Sequence, residues 1–315
     1  EWKHDYVEQG NAPGMPWADQ TISTTRITLP ETLPVELRKA DYHRVRPEHP
    51  HTPLVLMTVL TQLSVGAFVA VWLLRLFIED ALLNLAAAAA FGVANLALGA
   101  ATFHLGRPIH AYRALKMWKR SWLSREVLAF SLFAGAGSAY AGALWFGLPG
   151  TALLGAATAA LGLAGVAASA FIYLVPARPA WNSRYTMADF YLAGAILGPL
   201  LPAAFAPQQT ALLYMAASGA ALQMCCQASK FLWLTRSEEF ELMASARLLS
   251  NDLEKLFILR FILLIAGGIL LPLLEHPVPA LALSLAGELL GRYLFFVSVV
   301  PKNMAASFFA GSAAA

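Results

Sequence analysis

Ionisable side chains inside long apolar runs are few in this chain. Each is a candidate for chemistry, because carrying charge into a membrane is costly. His104 sits in FHLGRP, residues 103–108, where the apolar run ALLNLAAAAAFGVANLALGAAT gives way to the basic stretch RPIHAYRALKMWKRSWLSRE. A histidine at that border can ligate haem, hydrogen-bond a quinone, carry a proton or simply sit at the interface. Glu126 opens the next apolar run at the same end. An imidazole can donate to a quinone carbonyl, and a carboxylate can exchange the accompanying proton. Together they suit a quinone reaction that moves electrons and protons near a membrane surface. The alternative is an interfacial pair that only fixes the loop. Arg107 and Arg125 flank the two residues and could neutralise a reduced quinone, contact a partner protein or anchor lipid phosphates. Glu288 and Arg292 are four residues apart, so they share a helix face and can pair. They either brace the bundle or form a proton route or a polar pocket wall. Gln62, Asn84, Asn95, Asp189, Gln223 and Lys230 complete a weaker set.

Haem and cluster ligands do not follow from this set. A b-type haem needs two histidines at membrane depth. His110 falls in a loop, His276 at the opposite end, and His4, His43, His49 and His51 precede the first apolar run. Cys225 and Cys226 are adjacent, so on a helix they point about 100° apart and serve packing rather than metal. No haem and no metal ligand is expected in this chain.

The positioning elements follow from composition. The 315 residues are 58% hydrophobic and only 13% charged, against about 25% charged in soluble domains. Mean hydropathy is +0.58. The apolar runs are long and rich in Leu, Ala and Gly, so they are helices rather than barrel strands. The expectation is an all-α integral membrane protein. Its eight transmembrane helices lie near 53–77, 81–104, 126–147, 150–175, 187–206, 209–234, 256–274 and 278–300. Residues 1–52 form a polar, extended N-terminal arm, 53–301 the membrane bundle and 302–315 a tail. Small residues in GAGSAYAGA and GLAGVAASA suit close helix packing.

An even number of spans puts both ends on one side. That side receives nearly all Lys and Arg, including Arg107, Arg113, Lys116, Lys119, Arg120 and Arg125 in one loop. Arg75 stands almost alone on the other. Short loops rich in Lys and Arg stay cytoplasmic, so both termini and the 105–125 loop are expected inside. The connections GLPG and FAPQQT are too short to hold a soluble domain, so an extrinsic partner would dock on the basic side.

The motifs HLGRPIHAYRAL, SWLSREVLAFSLF, PAWNSRYTMADFYLAGAILG and LAGELLGRYLFFVSVVP resemble the membrane anchor subunit of DMSO-reductase-type complex iron–sulfur molybdoenzymes. The resemblance runs from about residue 53 to 301. It implies quinol binding at His104 and Glu126, and a haem-free anchor exchanging electrons with ubiquinone or menaquinone. It also implies two partners: an iron–sulfur subunit and a catalytic subunit holding molybdopterin guanine dinucleotide. The N-terminal arm looks like the tail of an iron–sulfur protein, which suggests a cluster-bearing portion fused upstream of Glu1. The inward basic face suits the quinone-linked sulfite dehydrogenases of this group, at the bacterial inner membrane. The expected function is therefore passage of electrons from partner clusters to quinone during sulfite oxidation. A DMSO or related reductase anchor drawing on menaquinol is the alternative, and a membrane transporter is the alternative of a different class. Pro199 and Pro202 would interrupt the fifth span in that last case.

Overall fold

Apolar, Ala- and Leu-rich stretches flanked by Pro, Gly and short polar turns leave little choice but helical hairpins, and helices are what form. A computed structural model describes residues 45–302 except 105–107, with the backbone alone of 101–104, 108–111 and 114. The expected arm, apart from its last residues, and most of the expected tail lie outside the described residues. Arg46–Val300 forms one compact unit. Among the described residues every regular element is a helix.

The helices are α1 Thr52–Arg75, α2 Ala81–His104, α3 Trp122–Trp145, α4 Thr151–Tyr173, α5 Arg184–Phe205 and α6 Thr210–Thr235. A 3-10 segment, Pro108–Met117, follows α2. Two short helices follow α6: α7, Phe240–Ser250, and the start of α8 at Glu254. α8 runs to Leu273, and α9 is Pro277–Val297. Seven of these are long and apolar enough to cross a membrane: α1, α2, α3, α4, α5, α8 and α9. α6 has 26 residues but is not among the seven. Gln223, Gln227 and Lys230 dilute its apolar character.

α1 is the central helix. It packs against α2, α4, α5 and α9, and 72% of its most apolar stretch is buried. Its closest approach is to α5, where a Cβ on Gly66 would run into the backbone of Gly194 and Gly198. Only hydrogen fits there, so the backbones meet as small residues allow in lipid.

Local sequence sets the ends. Ser121 caps α3 by accepting from the Ser124 amide at 3.4 Å. That moves the start of the third span from residue 126 to residue 122 and places Glu126 in the second turn. Pro199 and Pro202 lie inside a continuous α5, so they do not break the fifth span. α8 contains a π-helical stretch, Leu264–Leu270. Gly267 there faces the backbone of Ser284 in α9 so closely that a Cβ would clash. π-stretches are rare and often accompany functional sites.

Asp80 ties two short turns together at the end opposite the basic loop. Its carboxylate accepts from the Leu82 amide at 2.9 Å, from Gln208 at 2.8 Å and from Gln209 at 3.2 Å. The Leu82 amide foremost, with the two glutamine amides, holds its pKa below the ordinary value of 3.8 against a smaller opposing effect of burial. A carboxyl depressed in the folded state stabilises it above the unfolded pKa, and that contribution disappears as the pH falls through the folded value. Wild type and Asp80→Ala should therefore differ in detergent melting temperature at pH 7 and begin to converge only as the pH falls below about 3.8.

Candidate functional site

The basic-loop end of the bundle gathers the ends of α2, α3, α4, α5, α6, α8 and α9. Glu126 projects from the second turn of α3 and is only 4% exposed. Ser169 and Tyr173 of α4 lie beside it. The backbone of α2 ends at His104. The His104 side chain, and Arg107 altogether, lie outside the described residues. Arg125 turns toward the loop rather than along the carboxyl. It donates to the carbonyls of Trp118 at 3.0 Å and Lys119 at 2.8 Å, and its guanidinium lies 4.2 Å over the Trp122 ring. It fastens the basic loop to the start of α3.

Tyr173 belongs to a dense aromatic cluster. Trp181 stacks on Phe295 at 5.2 Å and donates to its carbonyl at 2.8 Å. Phe190 and Phe296 sit 5.6 Å and 5.5 Å from Tyr173. The last residues before α1 reach this cluster from outside. The Glu48 amide donates to the Val297 carbonyl at 2.9 Å, and His51 meets the edge of Phe296 at 6.2 Å.

Beyond the aromatics lies a buried polar network. Glu288 and Arg292 share the inward face of α9, as their spacing predicts, yet they do not pair with one another. Glu288 accepts from Gln223 at 3.2 Å. Arg292 donates to Gln62 at 2.8 Å and lies 3.7 Å over the Phe190 ring. The ring and the amide draw the guanidinium toward α1 and α5, whereas the glutamine draws the carboxylate toward α6. Asp189 of α5 accepts from Gln227 and forms an ion pair with Lys230 at 3.2 Å. Arg260 of α8 is 7% exposed and lies against Gly291. A cavity of about 40 Å³ opens among Asp189, Gln227, Lys230, Arg260 and Gly291. It has room for about three waters and none for a ring-sized ligand.

Four of the weaker candidates thus have partners in this buried polar region: Gln62 with Arg292, Gln223 with Glu288, and Asp189 with Lys230. Asn84 instead donates to the Leu144 carbonyl at 3.0 Å, and Asn95 to its own helix at 2.8 Å. Sequence reasoning missed Gln227 and Arg260. Gln227 was findable, because positions 223, 227 and 230 fall on one helical face. Arg260, at the start of an apolar run, reads as an interfacial cation, and nothing in the sequence shows that it turns inward.

Comparison with known proteins bears on this arrangement. Residues 47–297 match the family described as DMSO reductase anchor subunit (DmsC). The chain is similar to a sulfite dehydrogenase subunit of Allochromatium vinosum, with 31% identity over 179 residues, 50% of this chain and 55% of that protein. It is also similar to the anaerobic dimethyl sulfoxide reductase chain YnfH of Escherichia coli, with 29% identity over 222 residues, 62% of this chain and 75% of that protein. The matches therefore span about half to three quarters of those relatives. Since the family match takes in every helix of the bundle, the chain belongs to the DMSO reductase anchor subunit (DmsC) family.

Proposed function

We propose that this chain is the quinone-reactive membrane anchor of a molybdenum and iron–sulfur oxidoreductase complex. It passes electrons between the iron–sulfur clusters of a partner and ubiquinone or menaquinone, during sulfite oxidation. The observation that carries the reading is Glu126: a carboxyl buried one turn inside a helix that opens from a basic loop, in a member of an anchor family. His104, at the end of the preceding helix, donates to a quinone carbonyl. Glu126 carries a proton between that oxygen and the water of the basic side. Quinone takes two electrons from the partner and two protons from that water, and leaves as quinol. Arg107 and Arg125 keep the basic loop at the partner interface beside the site.

Residues 53–301 act as an eight-helix anchor in the bacterial inner membrane, with α6 as the eighth span. Its 26 residues would measure about 39 Å, enough to cross. Its polar face is turned inward, with Gln223 and Gln227 buried and Lys230 on Asp189. Eight spans and the Lys and Arg bias put both termini in the cytoplasm. Residues 1–52 reach along an iron–sulfur subunit, and 302–315 follow the bundle as a polar-side tail. The third component is a subunit holding molybdopterin guanine dinucleotide. The likeness to the sulfite dehydrogenase subunit and the inward basic face favour sulfite as the electron source. The likeness to YnfH, which covers more of both chains, supports the second reading, a DMSO or related reductase anchor fed by menaquinol.

Reporter fusions separate the two. A fusion at residue 207 should report the outer side and one at residue 315 the inner side. The reverse pattern would discard the sulfite assignment in favour of an outward-facing reductase. Affinity purification of the chain should bring down two large soluble subunits, whereas a transporter would come out alone.

A further inference from the structure

The 3-10 segment between α2 and α3 is long for its kind. It runs ten residues, Pro108–Met117, where such runs rarely exceed about three or four. Bonding of the same three-residue span carries on beyond it. The Trp118 amide donates to the Leu115 carbonyl at 3.4 Å, and the Arg120 amide to that of Met117 at 2.9 Å. The sequence repeats with the same period. Tyr112, Leu115 and Trp118 are three apart, and so are Arg113, Lys116 and Lys119. A 3-10 helix has about three residues per turn, so each set forms a straight stripe, and the two stripes lie about 120° apart. On an α-helix the same spacing would drift by about 60° at each step and mix them. All six residues are exposed, Tyr112 by 59% and Trp118 by 49%.

The cationic stripe has no local counter-charge. No Asp or Glu occurs from residue 105 to residue 125. Arg113, Lys116, Lys119 and Arg120 have no ion pair among the described residues. The segment is also held at a fixed level. Arg125 ties the carbonyls of Trp118 and Lys119 to the start of α3, where Trp122 stacks on Phe171 of α4 at 4.2 Å. Trp122 and Leu123, in the first turn of α3, are themselves exposed. The apolar stripe is thus fastened beside outward-facing apolar residues of a helix long and apolar enough to cross a membrane.

We infer that residues 112–119 lie flat on the membrane surface and bind anionic phospholipid. Tyr112, Leu115 and Trp118 enter the boundary of the acyl chains, and Arg113, Lys116 and Lys119 meet the phosphates. The inference rests on the reading of the chain as a membrane anchor with α2 and α3 as spans, and not on the quinone site. A segment with aromatic and aliphatic residues on one side and Lys and Arg on the other is the form that lies in the interface plane. Tyr and Trp settle at headgroup level because their rings are amphipathic. A protein partner fits the two stripes less well. Interfaces between proteins are depleted in Lys at their centre, and here a cation adjoins the apolar residue in every turn.

The test places the photoreactive residue p-benzoylphenylalanine at position 115 or, in a second variant, at position 118. The intact complex is reconstituted into nanodiscs of phosphatidylcholine mixed with phosphatidylglycerol, and mass spectrometry of the labelled peptide identifies what it touches. The adduct should be phospholipid, with phosphatidylglycerol enriched over its share of the bilayer. Arg113→Gln, Lys116→Gln and Lys119→Gln should each lower that enrichment, by up to about fivefold for an attraction of about 1 kcal/mol per cation. The triple variant should show no preference, and added salt should weaken the preference of the unaltered loop. Absence of adduct at both positions, an adduct to a partner subunit or to a second copy of this chain, phospholipid adducts without preference for phosphatidylglycerol, or a preference unchanged in the triple variant would each overturn the inference. Failure of the anchor reading would show before labelling, as a chain that extracts without detergent or purifies without soluble subunits.

Discussion

His104→Ala and Glu126→Gln should each slow electron exchange with quinone by at least about tenfold, a floor for losing a positioned proton-transfer group. Both variants should leave the complex assembled and the catalytic subunit active with a soluble dye. Glu126 is buried at the start of α3, with Ser169 and Tyr173 beside it and no ion pair to it among the described residues. Glutamine has nearly the same volume, so packing is kept while the titratable proton is lost. A side chain that only braces the loop would tolerate that exchange, the more so because Arg125 already ties the loop through two carbonyls. Wild-type quinone turnover in both variants would make the residues an interfacial pair and move the chemistry to the face of α9 that carries Glu288 and Arg292.

Lys230→Met should destabilise the anchor strongly. Asp189 and Lys230 have side chains only 9% and 14% exposed, and their ion pair holds α5 to α6. Removing one partner of a buried pair leaves an uncompensated charge, at a cost of about 3 kcal/mol. For a chain of this size that lowers the melting temperature in detergent by about 5 °C. Adding Asp189→Asn should recover most of the loss, because asparagine keeps an acceptor for Gln227 and carries no charge. A single variant that melts within about 1 °C of wild type would show that water in the adjoining cavity already solvates Asp189.

Hydrophobic run length made the spanning helices legible, and their ends fall within a few residues of expectation wherever Pro, Gly or a capping residue marks them. The third span starts earlier because Ser121 caps it, a signal that an apolar-run reading passes over. α7 escaped notice because Phe240–Ser250 is short and charged. Its order comes from burying one face, including Leu242, Leu248 and Leu249, and from Ser245, which accepts from the Val300 amide at 3.2 Å. None of that shows in a hydropathy profile. The π-stretch of α8 is equally hidden, since it arises where Gly267 meets α9. For the site, the residue types were readable but the partnerships were not. The spacing of Glu288 and Arg292 allowed a pair, and the distant Gln223 and Gln62 took each of them instead.

The central claim is that this chain connects a soluble catalytic unit to membrane quinone, and the ratio of two activities tests it most directly. Sulfite-dependent reduction of a short-chain ubiquinone is compared with sulfite-dependent reduction of a soluble dye, in the intact complex and after the anchor is removed. The account predicts that removal abolishes quinone reduction and leaves dye reduction unchanged. Quinone reduction that continues at the same rate without the anchor would contradict it.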